Sequence, residues 1–258
     1  MGRGANPMKN YKLSAEAMVM FSGSSAGTQP KYYENGYWYK TDRMGYEGMA
    51  EHLMSVVLSC SDCKDYVFYE SCTVNGRSGC RSANFLKPEE SFISFQRLYD
   101  MYEGGNLSER ILPIKSVEDR IAFVKQFVAD FTGIDCSSYL SCLLSLDMLS
   151  LNTDRHFHNL GIIANRMTGT FQTAPVFDNA DALLSNYDRF PADEDLSALI
   201  SSAYAQPFSA NHEMQAKAAG LALHIDYNKL HKQLDNEPPS RAVNVLRLQL
   251  EKYKSVFS

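Results

Sequence analysis

The chain has 258 residues, 45% of them hydrophobic and 12% aromatic, with 25 Lys and Arg against 30 Asp and Glu. That apolar content suffices for one sizeable core, or for two lobes sharing a cleft, and a net charge of -5 gives no electrostatic case for nucleic acid or an anionic membrane as the main partner. No apolar run reaches the ~20 residues of a bilayer span, Met18–Phe21 is too short for a signal-peptide core, and six cysteines in such a chain read as reduced thiols. A cytoplasmic protein is expected.

In chain order, the apolar Met18–Phe21 runs into Ser22–Gln29, a stretch of small residues unsuited to helix or regular strand. Lys31–Glu34 and Tyr37–Thr41 flank Asn35-Gly36, the strongest short signal for a two-residue hairpin turn. Trp38, between Tyr37 and Tyr39, reads as part of that sheet. Gly45–Ser59 carries Met49, Leu53, Val56 and Val57 on one helical face. Tyr66–Val74 and Arg77–Phe85 repeat the hairpin pattern around Asn75-Gly76. Cys60 and Cys63 form a C-x-x-C pair, but Cys72 and Cys80 are widely spaced and only His52 lies near, so ordinary thiols are preferred over a zinc site.

From about residue 90 the pattern turns helical: Ser91–Glu103, Ser116–Gly133 and Ser137–Leu151 carry apolar residues at intervals of three and four. A strand pair, Leu160–Ala164 and Thr170–Ala174, turns at Met167-Thr168-Gly169. Residues 193–258 read as further helices, one with the acidic Asp193–Asp195 at its N-terminus and one starting near Pro238-Pro239. The expected architecture is α+β and bilobal: a β-rich N-lobe over 10–86 and a helical C-lobe over 87–258, with a cleft between.

The chemistry-bearing residues cluster around Asn152-Thr153-Asp154-Arg155-His156-Phe157-His158-Asn159, at the end of an apolar helix, and Val176-Phe177-Asp178-Asn179, after a strand. Phosphoryl transfer from ATP needs a carboxylate to orient and deprotonate the attacking hydroxyl, oxygen ligands for Mg²⁺, and cations on the phosphates. Protein kinases meet the first two needs with H-R-D-x-x-x-x-N and the aspartate of D-F-G. Asp154 and Asn159 have the same five-residue spacing, and Asp178 stands where the second aspartate would. Lys40, at the end of its strand, is a candidate phosphate contact, and Glu47 or Glu51, four apart on one helix face, a candidate partner for it. Arg155 either pairs with a phosphorylated residue or braces its loop, and the residues alone leave that choice open.

These segments resemble the HipA-like kinases, a bacterial family of protein-kinase-like serine/threonine kinases. Ser24-Ser25-Ala26-Gly27-Thr28-Gln29-Pro30-Lys31 resembles the family's S-x-A-G-x-Q-x-K loop, Asn152–Asn159 its N-x-D-x-H-x-x-N catalytic loop, and Pro175–Asn179 its metal-binding segment. The resemblance covers about residues 20–190 and implies a bilobal protein-kinase-like fold with ATP and Mg²⁺ as cofactors. It implies Asp154 as catalytic base, with His156 anchoring the loop or stabilising phosphate, and Asn159 and Asp178 as metal ligands. Ser24, Ser25, Ala26, Gly27, Thr28 and Gln29 would enclose the phosphates, and Lys40, held by Glu51, would contact them. Ser24 matches a position that some members autophosphorylate, where added negative charge would oppose a bound triphosphate. The implied partners are a protein substrate and an antitoxin-like regulator. Full-length members carry a further N-terminal subdomain of roughly a hundred residues. It helps toxin–antitoxin members meet antitoxin and DNA, so the resemblance leaves a toxin role open here, and the net charge gives no expectation of direct nucleic-acid contact. Asn179-Ala180 also departs from the glycine that usually follows the metal-binding aspartate in protein kinases. Because D-R-H-x-x-N also resembles the phosphatidylinositol 3- and 4-kinases, a lipid or small-molecule acceptor is an alternative, as is a nucleotide-binding pseudokinase.

Overall fold

The computed structural model describes residues 8–19 and 30–258, so the expected phosphate loop from Ser24 to Gln29 lies outside the described residues. β1 (Asn10–Tyr11) is followed by one 3-10 turn, then β2 (Lys31–Glu34), β3 (Tyr37–Thr41), α1 (Glu47–Ser59), β4 (Tyr69–Val74) and β5 (Arg77–Ala83). These strands form a five-stranded sheet in the order β1-β4-β5-β3-β2, antiparallel apart from the β1–β4 pair. Both predicted hairpins form because Asn35-Gly36 and Asn75-Gly76 adopt positive φ at both turn positions (51° and 81°, 50° and 80°), which matches the twist of the flanking strands.

Next come β6 (Glu90–Ser94), α2 (Phe95–Tyr102), α3 (Leu107–Ile111), α4 (Val117–Thr132) and α5 (Ser137–Ser150). The helix expected over Ser91–Glu103 is thus strand in its first four residues: β6 pairs antiparallel with β7 (Gly161–Asn165), which pairs in turn with β8 (Phe171–Thr173). Phe92 and Ile93 lie opposite Ile163 and Ile162, and this distant ladder overrides the local helical spacing. The helix begins only where the Ser94 side chain accepts the Arg97 N–H. α6 (Leu196–Ser202), α7 (His212–Ala219), α8 (Tyr227–Leu234), α9 (Arg241–Lys252) and α10 (Lys254–Phe257) complete the chain. Asp195 caps α6 by accepting the Ala198 N–H, and Ser240 caps α9 just beyond the two prolines. The whole is a mixed arrangement of sheets and helices. Among the described residues, no helix is long and apolar enough to cross a membrane.

Two packing features position the polar residues singled out by their spacing. α5 is buried nearly all round, with Leu140, Leu143, Leu144 and Leu146 fully buried, as befits a central helix. It ends at Leu151 in left-handed conformation (φ 56°) and delivers residues 152–159 directly. α1 lies on the five-stranded sheet through two facing glycines: a Cβ on Gly48 would sit 2.4 Å from the Gly79 carbonyl carbon. This close approach brings Glu51, one turn along α1, to the strand that carries Lys40. Gly48→Ala is therefore expected to lift α1 and destabilise the fold by about 1–3 kcal/mol, read as a lower urea midpoint at unchanged m-value.

Candidate active site

Lys40 and Lys31 face each other across the β2–β3 ladder, a like-charge pairing that is unfavourable unless anions answer it. They do. Lys40 Nζ lies 2.5 Å from Glu51 Oε1 and 2.9 Å from Asp178 Oδ1. Burial would deprotonate this amine, but the Asp178 and Glu51 carboxylates outweigh it and hold its pKa well above the ordinary range. Burial likewise works against an ionised Asp178, yet Lys40 and then Lys31 hold its carboxyl well below the usual carboxylate range. Glu51 is fully buried; burial raises its pKa against the pull of Lys40. Lys31 is lowered by burial, opposed by Asp178 and reinforced by Lys40. Glu47 serves the backbone instead. Its carboxylate accepts the Met44 N–H at 2.6 Å and the Gly45 N–H at 3.2 Å ahead of α1.

The 152–159 loop is fixed from below by Arg155, whose side chain is wholly buried. Its guanidinium grips Asp147 of α5 at 2.9 Å and 3.0 Å, and also donates to the Phe177 carbonyl and to Asn179 Oδ1, both at 2.7 Å. Of the two roles left open for Arg155, the structure shows the brace. Asn179 donates its own N–H to Glu51 Oε2 at 2.8 Å. The residue that stands in place of glycine thus ties the Asp178 segment to both α1 and the loop. Asp178 itself has a left-handed φ of 60°.

Asp154 is the exposed member of the group, its side chain 41% accessible. Burial raises its pKa, countered by His156 and reinforced by Asp178. His156 Nε2 stands 3.8 Å from Asp154 Oδ2, an electrostatic contact rather than a hydrogen bond, and the buried His156 Nδ1 has no partner. Gln206 Nε2 donates to the Thr153 carbonyl at 2.8 Å and lies 3.4 Å from Asp154 Oδ1. Asn159 is buried; its Nδ2 reaches the Asp154 carbonyl at 3.5 Å, while its Oδ1 has no hydrogen-bond partner. A buried amide oxygen left unpaired and an ionised carboxylate are both of the donor type suited to a hard cation such as Mg²⁺.

A cavity of about 230 Å³ opens at Lys31, Lys40 and Asp178 and is walled elsewhere by Trp38, Phe85 and Phe177. The Phe177 ring packs on Phe85 at 5.6 Å and on Phe92 at 5.3 Å, so this end of the cavity is aromatic and the other charged. The sequence-predicted Asp154, Asn159, Asp178, Lys40, Glu51 and His156 lie on four segments: the 152–159 loop, the segment after β8, β3 and α1. Sequence reasoning did not assign Lys31, Asn179 or Gln206 a role. Lys31 closes the Ser/Gly-rich motif and had a visible signal, whereas Gln206 lies far from any motif. Among the described residues no group of three or more His, Cys, Asp or Glu is disposed to bind a metal ion.

The fold is similar to that of a solved kinase structure. The chain is similar to the Helicobacter pylori proinflammatory kinase CtkA, with a TM-score of 0.66 and 16% identity over 97% of this chain and 95% of that one. HipA, in the Shewanella oneidensis MR-1 complex of the toxin–antitoxin pair HipA and HipB with operator DNA, matches with a TM-score of 0.48 and 12% identity, over 94% of this chain and 67% of that one. No family model and no curated protein sequence matches.

Asp147→Ala strands the Arg155 charge in the interior and is expected to cost about 3–5 kcal/mol in urea unfolding. Asp181 and Asp42 are both pushed up to about 6, chiefly by burial, and for Asp181 also by the neighbouring Asp154. An acid whose folded pKa exceeds its unfolded value binds more protons in the native state. Stability is therefore expected to fall, by about 1–3 kcal/mol in total, as pH rises from about 4 to 6. Asp42→Asn and Asp181→Asn should each flatten that slope in urea midpoints taken across the window.

Proposed function

We propose that this chain is an ATP- and Mg²⁺-dependent kinase of the HipA-like type, transferring phosphate to a serine or threonine hydroxyl of a protein. The observation that carries this reading is Asp178 with two facing lysines at one cavity, and on the adjoining loop the half-exposed Asp154, close enough to feel the Asp178 charge, and the unpaired Asn159 Oδ1. In this reading residues 10–86 and 87–258 are the two lobes, and the cavity is part of the cleft between them.

Bound ATP with Mg²⁺ would supply the transferable γ-phosphoryl group and neutralise its charge. Asn159 and Asp178 would hold the metal through oxygen. Lys40, kept protonated by its two carboxylates, would contact the phosphates, with Lys31 beside it and the Ser24–Gln29 backbone around them. Trp38, Phe85 and Phe177 offer an apolar wall to the base. Asp154 would orient the acceptor hydroxyl and take its proton as the oxygen attacks. Gln206 and His156, the groups nearest its carboxylate, would steady its orientation and charge. An antitoxin-like regulator enters this reading through the sequence resemblance alone.

The test is transfer of labelled γ-phosphate from ATP with Mg²⁺, to the protein itself or to a component of a cell lysate. Asp154→Asn should lower transfer by about 10²–10⁴-fold with little change in nucleotide affinity, whereas Asp178→Asn should weaken both. Nucleotide binding without transfer in the wild type would replace this reading with a nucleotide-binding regulator. Absence of binding would remove it altogether.

A further inference from the structure

His52 is the residue after Glu51 on α1, and its ring bridges two other parts of the chain. Nδ1 lies 3.1 Å from the Tyr69 carbonyl oxygen at the start of β4, and Nε2 lies 3.0 Å from Glu237 Oε1 in the connection between α8 and α9. Neither partner donates: a carbonyl oxygen accepts, and so does an ionised carboxylate. A neutral imidazole has one N–H and can satisfy only one of them, so the two contacts together call for the imidazolium, with a proton on each nitrogen. The His52 and Glu237 side chains are each only 18% accessible, so water replaces neither contact freely. We propose that His52 is a positioning residue that holds α1, and with it Glu51, against β4 and the α8–α9 connection only while its ring carries both protons.

The contact with Tyr69 bears on the candidate site from a second side. Ser55, one turn further along α1, accepts the Tyr69 N–H at 2.8 Å, so α1 side chains meet both the N–H and the carbonyl of that residue. The Tyr69 ring in turn lies 5.0 Å from Lys40 Nζ, the amine that Glu51 holds. α1 therefore reaches Lys40 directly through Glu51 and indirectly through Tyr69. When the ring loses its second proton, one nitrogen lone pair faces an oxygen lone pair and that partner is given up. The released contact is one residue from Glu51, whose other oxygen carries the Asn179 N–H.

The surroundings favour the charged ring. Burial opposes it, but the hydrogen bond and charge of Glu237, the Tyr69 carbonyl and, further off, Glu70 of β4 outweigh burial and raise the His52 pKa above the ordinary histidine value. Of the other charges on elements packed against α1, Lys40 of β3 is held by Glu51 and Asp178, and Arg81 of β5 by Glu70 at 2.7 Å. Arg247 of α9 is held by Asp235 at 2.8 Å, and Lys229 of α8 donates to the Ser59 carbonyl at 2.6 Å. A folded pKa above the unfolded one contributes stability that is complete below the unfolded value and is lost as pH rises through the folded value. The hold on α1 is thus expected to weaken on the alkaline side.

The test is a pH titration of the full chain by NMR, following the histidine ring C–H shifts with the His52 ring assigned through its own backbone. His52 is expected to titrate above the ordinary value of about 6.5, and at lower pH in Glu237→Gln than in the wild type. Amide hydrogen exchange over residues 47–59, corrected for the intrinsic effect of pH, should be about tenfold faster above that titration than below it in the wild type, and nearly level in His52→Gln. A His52 titration at or below the ordinary value, or level exchange in the wild type, would each overturn the proposal whether or not either variant folds. So would a titration that Glu237→Gln leaves unmoved. The link to catalysis rests on the function proposed above: phosphate transfer should fall with the same midpoint, and a midpoint that Glu237→Gln does not shift would overturn the positioning role. Absence of all transfer would count against that function alone, because titration and exchange need no activity.

Discussion

A guanidinium that can never lose its charge is buried completely at Arg155, and much of the site's geometry answers to it. Taking such an ion out of water costs several kcal/mol unless its donors find acceptors of good geometry. Here the Asp147 carboxylate takes two of the N–H groups, and the Phe177 carbonyl and Asn179 side chain take others. Those acceptors flank Asp178 on both sides. Moving the 177–179 segment away would leave a desolvated charge unanswered, so the position of Asp178 relative to Asp154, the residue next to Arg155, is set by a penalty rather than by loop propensity.

The same logic joins this segment to the β-sheet. Lys31 and Lys40 repel across their ladder, and Glu51 and Asp178 relieve that repulsion from opposite elements, α1 and the segment after β8. Two carboxylates and two ammonium groups come close to neutral, but not symmetrically. Glu51 is sealed and already bonded through both oxygens, to Lys40 and to the Asn179 N–H. Asp178 has one oxygen on Lys40 and a side chain 19% accessible. An incoming cation would therefore meet Asp178, and incoming phosphate the lysines, while Glu51 stays a support.

What was legible in the sequence was local. Asn35-Gly36 and Asn75-Gly76 define their hairpins because the turn alone selects the backbone, and Asp195 caps its helix as an acidic N-terminus should. Ser91–Ser94 misled because β6 owes its existence to Ile162 and Ile163, brought alongside only by the fold, while the periodic pattern of α2 runs on from it without a break. In the site, Asp154, Asn159 and Asp178 stood out through spacing that one loop and one strand end preserve. The bracing by Arg155, the choice of Glu51 over Glu47 and the approach of Gln206 are tertiary. Nothing in a linear pattern distinguishes two glutamates four apart on one helical face, yet the Gly48–Gly79 contact and the register of α1 send one to Lys40 and the other to the turn before the helix.

Buried polar groups here fall into two kinds, and the difference bears on function without appeal to any motif. Arg155 and Asp147 are deep and satisfied, which is how groups that hold a structure together are found. By contrast, Asn152 Nδ2, His156 Nδ1 and Asn159 Oδ1 are buried without partners, and all three fall within residues 152–159. Each such atom costs about 1–3 kcal/mol, and an arrangement selected for stability alone would have paired or replaced them. Three of the ten such atoms among the described residues fall on this one short loop, next to a half-exposed carboxylate of raised pKa, and that is where the proposed function needs bonding capacity toward a ligand. The brace by Arg155 is what lets the fold tolerate that cost in so small a space.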